Sequence, residues 1–258
     1  STVAYDRQLV PWLFEHWVEP FIDLAAPPAS ARFLDLACGS GLITRNLVIR
    51  LDRLGRIDAV DIDPAMLAYA SSTIDDERIH WHVADAADLR FDDGSLDGAV
   101  CHQGLQFFPG QLDVLGEIFR TLRPGGRLTV AVWGRLEDNP WPAALAAATR
   151  TVLGDDAAAG VATVCALGDP TGLAGLLRDA GFEPDVVETR TATATHPDVH
   201  AAVAGQLAAL PSGSITDRLD DEQRTELAAT MSTLLAPHTG ANGRLTLPST
   251  SVFGSALT

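Results

Sequence analysis

An α/β fold built on an open, mostly parallel sheet is predicted by three observations. Short apolar runs alternate with helix-patterned segments between residues 32 and 133. A glycine-rich turn follows the first of these runs, and Asp61 and Asp85 end the second and third. Strands separated by helices of this length imply parallel βαβ units with right-handed crossovers.

Leu9 to Ile22 repeats apolar residues at helical spacing, with Leu9, Leu13, Trp17 and Phe21 in one row, and Pro11 and Pro20 are expected to bound or bend that helix. Arg32 to Ala37 reads as a buried strand, followed by a Gly-rich turn and a helix from Leu42 to Leu51. Arg56 to Asp61 is a second strand, and Pro64 opens a helix through Ala70. Ile79 to Val83 and Leu96 to His102 are strands three and four. The helix Leu112 to Leu122 follows, Pro124-Gly125-Gly126 turns the chain, and Arg127 to Trp133 is strand five. Beyond Trp133 the pattern changes. Residues 138–165 are Ala-rich and helical in pattern, Thr171 to Ala180 is a helix closed by Gly181, and strand-like runs recur at Phe182 to Thr195 and Gly243 to Leu257.

The bulk numbers narrow the partners. A formal net charge of -16 argues against a nucleic-acid backbone and against anionic membrane surfaces. No run approaches the ~18 to 20 apolar residues of a membrane helix. The start, at Ser1, shows no basic leader followed by an apolar stretch and suggests a trimmed end. Cys38, Cys101 and Cys165 are too scattered for a disulfide framework or a zinc site, and no His/Asp/Glu spacing converges on a metal. A cytoplasmic protein is expected.

Asp35-x-x-x-Gly39-x-Gly41 stands where a strand gives way to a helix. Glycines there let a ligand approach the backbone, and the helix start offers free N–H groups, although such turns also need glycine for packing alone. Asp61 lies 20 residues after Gly41 at a strand end, where a carboxylate accepts both hydroxyls of an adenosine ribose. Helix capping is the other reading of Asp61, and Asp63 before Pro64 suits that role better. Ile62 and Met66 are candidate walls for an adenine, with core packing as their ordinary role. Asp85 is placed to accept from the adenine amine and the Ala86 N–H to meet a ring nitrogen; a turn-forming Asp is the alternative. All these features fall at carboxyl ends of strands.

Together, Phe33-Leu-Asp-Leu-Ala-Cys-Gly-Ser-Gly41, Val60-Asp-Ile-Asp-Pro-Ala-Met-Leu67, Val83-Ala-Asp-Ala86, Leu96 to Pro109 and Leu122-Arg-Pro-Gly-Gly-Arg-Leu128 resemble the class I (Rossmann-like) S-adenosylmethionine-dependent methyltransferases. The similarity is to small-molecule enzymes related to ubiquinone and menaquinone biosynthesis methyltransferases. It covers residues 30–133, and Tyr5-Asp-Arg7 with Leu9-Val-Pro11 is similar to the family's N-terminal cover. The resemblance implies a seven-stranded sheet in the order 3-2-1-4-5-7-6 with strand seven antiparallel. It implies that the backbone around Ala37, Gly39, Ser40 and Gly41 holds the methionine portion of S-adenosylmethionine. It also implies that Cys101 to Phe107 lines the methyl-transfer side, and that S-adenosylhomocysteine is the product. The expected organisation is one methyltransferase domain over 1–258, with an N-terminal helical cover (1–30), a cofactor core (30–133) and substrate-lid segments at 134–165 and 197–240.

Methyl transfer from a sulfonium is a direct displacement, so alignment of the nucleophile is the main requirement. A hydroxyl, phenol or acidic carbon gains from a general base, and His102, leaving strand four beside the expected methyl position, is the candidate. Local hydrogen bonding is its plainer role. Gln103 and Gln106 are candidates to position substrate or cofactor. Trp12, Trp17, Trp133 and Trp141 would supply an aromatic wall if they did not pack in a core. The expected acceptor is a small molecule, such as a natural-product intermediate, and a homodimer stays open. Thr44 at the third position of Gly-x-Gly-x-x-Gly weakens a nicotinamide-enzyme reading. A methyltransferase-like protein promoting a rearrangement or cyclisation without methyl transfer is the alternative.

Overall fold

In the computed structural model, which describes residues 2–210 and 215–258, the backbone from Thr2 to Ala25 is helical but changes pitch. It runs through α1 (Thr2–Ala4), a wide-turned π-helical stretch (Tyr5–Phe14), a 3-10 turn (Glu15–Trp17) and α2 (Val18–Ala25). The helix is therefore longer than the periodicity suggests. Pro11 is tolerated inside the π-helical stretch, and Pro20 falls in the first turn of α2, just after the 3-10 turn where the pitch changes.

The chain divides into two compact units: Trp17–Trp133 with Leu167–Arg190 and Ser251–Thr258, and Ser1–His16 with Gly134–Ala166 and Thr191–Thr250. The expected cofactor core falls in the former. Both expected lid segments fall in the latter, residues 211–214 of the second lying outside the described residues.

The former unit is organised on the sheet. Its strands are β1 (Arg32–Leu36), β2 (Arg56–Asp61), β3 (Ile79–Val83), β4 (Leu96–His102), β5 (Leu122–Trp133), β6 (Glu183–His196) and β7 (Leu245–Leu257), in the order β3-β2-β1-β4-β5-β7-β6. The β1–β2, β1–β4, β2–β3 and β4–β5 ladders are parallel, and β7 runs antiparallel to β5. The far ends of β6 and β7, 191–196 and 245–250, count with the other unit. Strands buried on both faces need near-continuous apolar runs, which is what β1, β2 and β4 carry. Leu34, Leu36, Val60, Ala99, Cys101 and Val130 share one core with Val114, Leu115 and Ile118 of α5 (Gln111–Thr121) and Leu173 and Leu177 of α8 (Pro170–Asp179).

β5 starts at Leu122, five residues earlier than expected. Its register against β4 jumps from Leu96↔Leu122 to Gly98↔Arg127, so Pro124-Gly125-Gly126 bulges from a continuing strand rather than preceding it. α3 (Leu42–Arg50) follows Gly41, whose φ of 83° suits glycine and where a Cβ would stand 2.5 Å from Ile74 Cδ1. α4 (Pro64–Thr73) is capped by Asp63, which accepts from the Ala65 N–H, as the Asp-Pro pair predicts.

The other unit is chiefly helical: α6 (Pro140–Leu153), α7 (Asp155–Ala162), α9 (Val199–Ala209) and α10 (Asp221–Leu234). Trp12 packs edge-on to Trp141 with ring centroids 4.6 Å apart, and the Trp141 indole N–H donates to Gln206 Oε1 at 2.8 Å. Both tryptophans are buried, so within this unit they serve its core. No single helix among the described residues is long and apolar enough to cross a membrane.

Candidate cofactor site

Sheet order reverses between β1 and β4, and in open α/β sheets the crevice outside such a reversal is where ligands bind. The chain marks this place with two strained residues. Ala37, just after β1, has φ 56°, and Gln103, just after β4, has φ 58°. The left-handed region costs an L-residue roughly 1–2 kcal/mol, so the surrounding structure must hold both turns. Cys38 N–H donates to the Val60 carbonyl and Gln103 N–H to that of Ala131, pinning each turn to a neighbouring strand.

The β1 turn is then drawn to β2. Gly39 N–H donates to Asp61 Oδ2 at 2.8 Å, and Asp63 N–H to Oδ1 at 2.9 Å. Burial raises the proton affinity of Asp61 despite those two amides. Asp61 thus shapes the glycine turn as well as offering its remaining lone pairs. A Cβ built on Gly39 would meet nothing within 4 Å, so open space lies directly over this backbone. Ser40 and Gly41 complete the turn, with Ser40 buried.

Just past β2, Ile62 is 69% exposed, and Val83, the last residue of β3, is 61% exposed. Large apolar side chains left in solvent at neighbouring strand ends suit the flat face of a base. Met66 of α4 is half-buried. A cavity of about 230 Å³ lies beside the end of β3, lined by His82, Val83, Asp85, Asp88 and Phe91 among others, and Gly39, Asp61, Ile62 and Met66 do not line it. Asp85 is exposed, one oxygen accepting the Ala87 N–H at 2.9 Å, and Ala86 is buried.

At the end of β4, Cys101 is fully buried and its thiol is pushed up to about 12 by burial, then by the charge of Asp35. A Cβ on Gly104 would stand 2.6 Å from Ala37 Cβ and 2.9 Å from Cys101 Sγ, so glycine is required for this close approach. Gln106 is 7% exposed; its amide donates to the Gln103 carbonyl at 3.0 Å, and its own Oε1 is buried without an acceptor's partner. Gln103 donates to Ser251 Oγ at 3.0 Å. His102 is half-buried, its ring edge-on to Phe21 with centroids 5.0 Å apart, and Phe21 in turn abuts Phe253. Trp17 packs on the same Phe253.

The residues named from the sequence therefore gather at the carboxyl ends of β1 to β4. The open space over Gly39 and the exposed Ile62 and Val83 fit an adenosyl cofactor. Sequence reasoning named Asp35 as the opening of the glycine motif but gave it no role of its own. It is 1% exposed and accepts from Thr44 Oγ1 at 2.6 Å, a bond that also gives Thr44 a role beyond interrupting a glycine motif. A lone acid inside an apolar strand was the available signal.

Comparison with known proteins agrees with this geometry. Residues 34–130 match the family model described as a methyltransferase domain. A 2-phytyl-1,4-naphtoquinone methyltransferase from Thermosynechococcus vestitus is 35% identical over 130 residues, covering 49% of this chain and 58% of that protein. The chain spans between about a fifth and three-fifths of the length of the leading curated relatives it matches (19%, 58% and 49%). At the level of fold, a Bacillus halodurans protein crystallised as a candidate methyltransferase superposes with a TM-score of 0.64 at 15% identity, over 93% of this chain and 97% of that one. The [4+2]-cyclase SpnF does so with a TM-score of 0.60 at 19% identity, over 94% and 80%. Sheet order and strand-end constellation thus agree with the matched domain: residues 34–130 match a methyltransferase domain, and the chain is similar to the class I S-adenosylmethionine-dependent methyltransferases.

Proposed function

We propose that this protein transfers a methyl group from S-adenosylmethionine to a small-molecule acceptor. The observation that carries the reading is the Asp61–Gly39 clasp beneath open space, flanked by exposed Ile62 and Val83. In this assignment the backbone of Ala37, Gly39, Ser40 and Gly41 holds the methionine portion and Asp61 takes the ribose. Ile62 and Met66 wall the adenine, and Asp85 with the Ala86 N–H reads its edge. Cys101 and Gln106 border the methyl side. The cofactor, when bound, supplies an electrophilic methyl on a sulfonium. The protein's part is to orient the acceptor in line and keep water out.

His102 is assigned as the base that takes a proton from an O- or C-nucleophile, its ring held by Phe21. The naphthoquinone named for the similar enzyme supports a carbon or oxygen acceptor on an aromatic or quinol ring. Acceptor choice is assigned to 134–165, 197–240 and the N-terminal helix. The test is incubation with S-adenosylmethionine and a panel of naphthoquinols and phenols, read as a methyl mass shift together with S-adenosylhomocysteine release. His102→Ala should lose turnover on ring acceptors while keeping cofactor affinity; normal turnover across pH removes the base assignment. The fold likeness to a cyclase supports a second reading, cofactor binding without transfer. Stoichiometric cofactor retention with no S-adenosylhomocysteine formed would favour it.

A further inference from the structure

Asp35 is a buried acid held by Thr44 and faced by no cation. It sits on β1, opposite Ala59 of β2 and Val100 of β4, at 1% exposure. The groups that face it are Thr44 of α3, whose hydroxyl donates to Oδ2 at 2.6 Å and whose backbone N–H also donates to the carboxyl, a second carboxyl on Asp61 of β2, and the buried thiols of Cys38 and Cys101. No guanidinium is among them, and the chain contains no lysine. Burial, against the Thr44 hydroxyl and reinforced by Asp61, raises its pKa to about 7. A buried carboxylate without a counter-charge is costly, so below neutral pH the neutral form prevails until a positive charge arrives.

We propose that Asp35 is a proton-exchanging element of the cofactor site, protonated in the free protein and releasing that proton to solvent when a cofactor with net positive charge binds. The inference rests on the S-adenosylmethionine reading. The sulfonium cofactor carries one more positive charge than its thioether product. Ionised Asp35 stabilises the first more than the second, so proton uptake accompanies loss of the methyl group's charge and favours product release.

The test is isothermal titration calorimetry of the full chain with S-adenosylmethionine and, separately, S-adenosylhomocysteine, in buffers of differing ionisation enthalpy. Near pH 6, close to one proton should leave per S-adenosylmethionine bound, declining toward none by about pH 9, and affinity should fall about tenfold per pH unit of acidification below about 7. S-adenosylhomocysteine should release fewer protons. Asp35→Asn should bind S-adenosylmethionine without proton release. Thr44→Val removes a hydroxyl that favours the ionised form, so it should move the release window to higher pH; this variant decides the matter if Asp35→Asn does not fold. Cofactor binding with no wild-type proton release, release unchanged in Asp35→Asn, or an unmoved window in Thr44→Val overturns the proposal while leaving the cofactor reading intact. If the wild type binds neither compound, both fall together.

Discussion

Gly39 and Asp61, 22 residues apart and at the ends of neighbouring strands, are joined by a 2.8 Å hydrogen bond from the glycine amide to Oδ2. The same carboxyl accepts Asp63 N–H through Oδ1. One side chain therefore shapes the turn after β1, anchors the entry to α4 and is the assigned ribose acceptor. Asp61→Ala should weaken S-adenosylmethionine binding by roughly ten- to a hundredfold, the equivalent of ~1.5–3 kcal/mol for lost charge-assisted hydrogen bonds. Calorimetry checks this, with circular dichroism to establish that the variant is folded. Unchanged affinity in a folded variant would refute the assignment.

Gly104 and Ala37 meet across the same reversal of strand order. A Cβ on Gly104 would lie 2.6 Å from Ala37 Cβ and 2.9 Å from Cys101 Sγ. Cys101 is fully buried, so little around it can yield. Gly104→Ala is expected to cost ~1–3 kcal/mol in urea unfolding, the usual range for overpacking. It should also weaken cofactor binding, because relief would have to come from the turn carrying Ala37 and Gly39. A urea midpoint equal to wild type would show that the contact relaxes freely.

Much of this was legible in the chain. Buried parallel strands advertise themselves as apolar runs, and β2, β3 and β4 have the bounds that their runs predict. Asp63 before Pro64 announced its own cap. Pro124-Gly125-Gly126 misled because its residues normally end a strand, whereas pairing with β7 and β4 carries β5 through a bulge. The pitch changes around Pro11 left no periodic trace that distinguishes a π-helix from an α-helix. Asp35 entered the sequence reading only as the first residue of the glycine motif, since its partner Thr44 is nine residues on and the acid at its side belongs to another strand. The segments assigned to acceptor choice are hardest to read, because alanine-rich helices such as α6 carry few groups whose chemistry names a ligand.

Asp58 is fully buried on β2 and accepts from Arg32 Nε at 2.7 Å, Arg56 at 2.7 Å and His82 Nε2 at 2.8 Å. Burial alone would push its pKa up; Arg56, Arg32 and His82 outweigh that and hold it below the usual aspartate value. Its stabilising contribution is therefore present above the unfolded-state pKa and lost as pH falls through the lower folded-state value. Asp58→Ala should cost ~1.5–3 kcal/mol at neutral pH, the figure for hydrogen bonds to charged groups, because both arginines stay about a third exposed and recover water. The loss should shrink toward acid pH. A pH-independent loss would mean that packing, not charge, is what Asp58 contributes.

Asp35 gives the opposite slope, and it can be measured without any ligand. Its folded-state pKa of about 7 stands above the unfolded value of 3.8, so between these limits the native state holds more protons than the unfolded chain. The stabilisation linked to that proton is complete below the unfolded pKa and is lost as pH rises through the folded one. In that window Asp35 should reduce stability by up to ~1.4 kcal/mol per pH unit, with the full cost in place above about 7. Asparagine is shaped like the protonated acid and keeps an oxygen for Thr44 Oγ1. Asp35→Asn should therefore match wild type near pH 4 and exceed it in urea unfolding near pH 8. Subtracting the two curves removes the contributions of Asp58 and the other carboxylates. A difference that does not vary with pH would show that Asp35 is already ionised in the free protein.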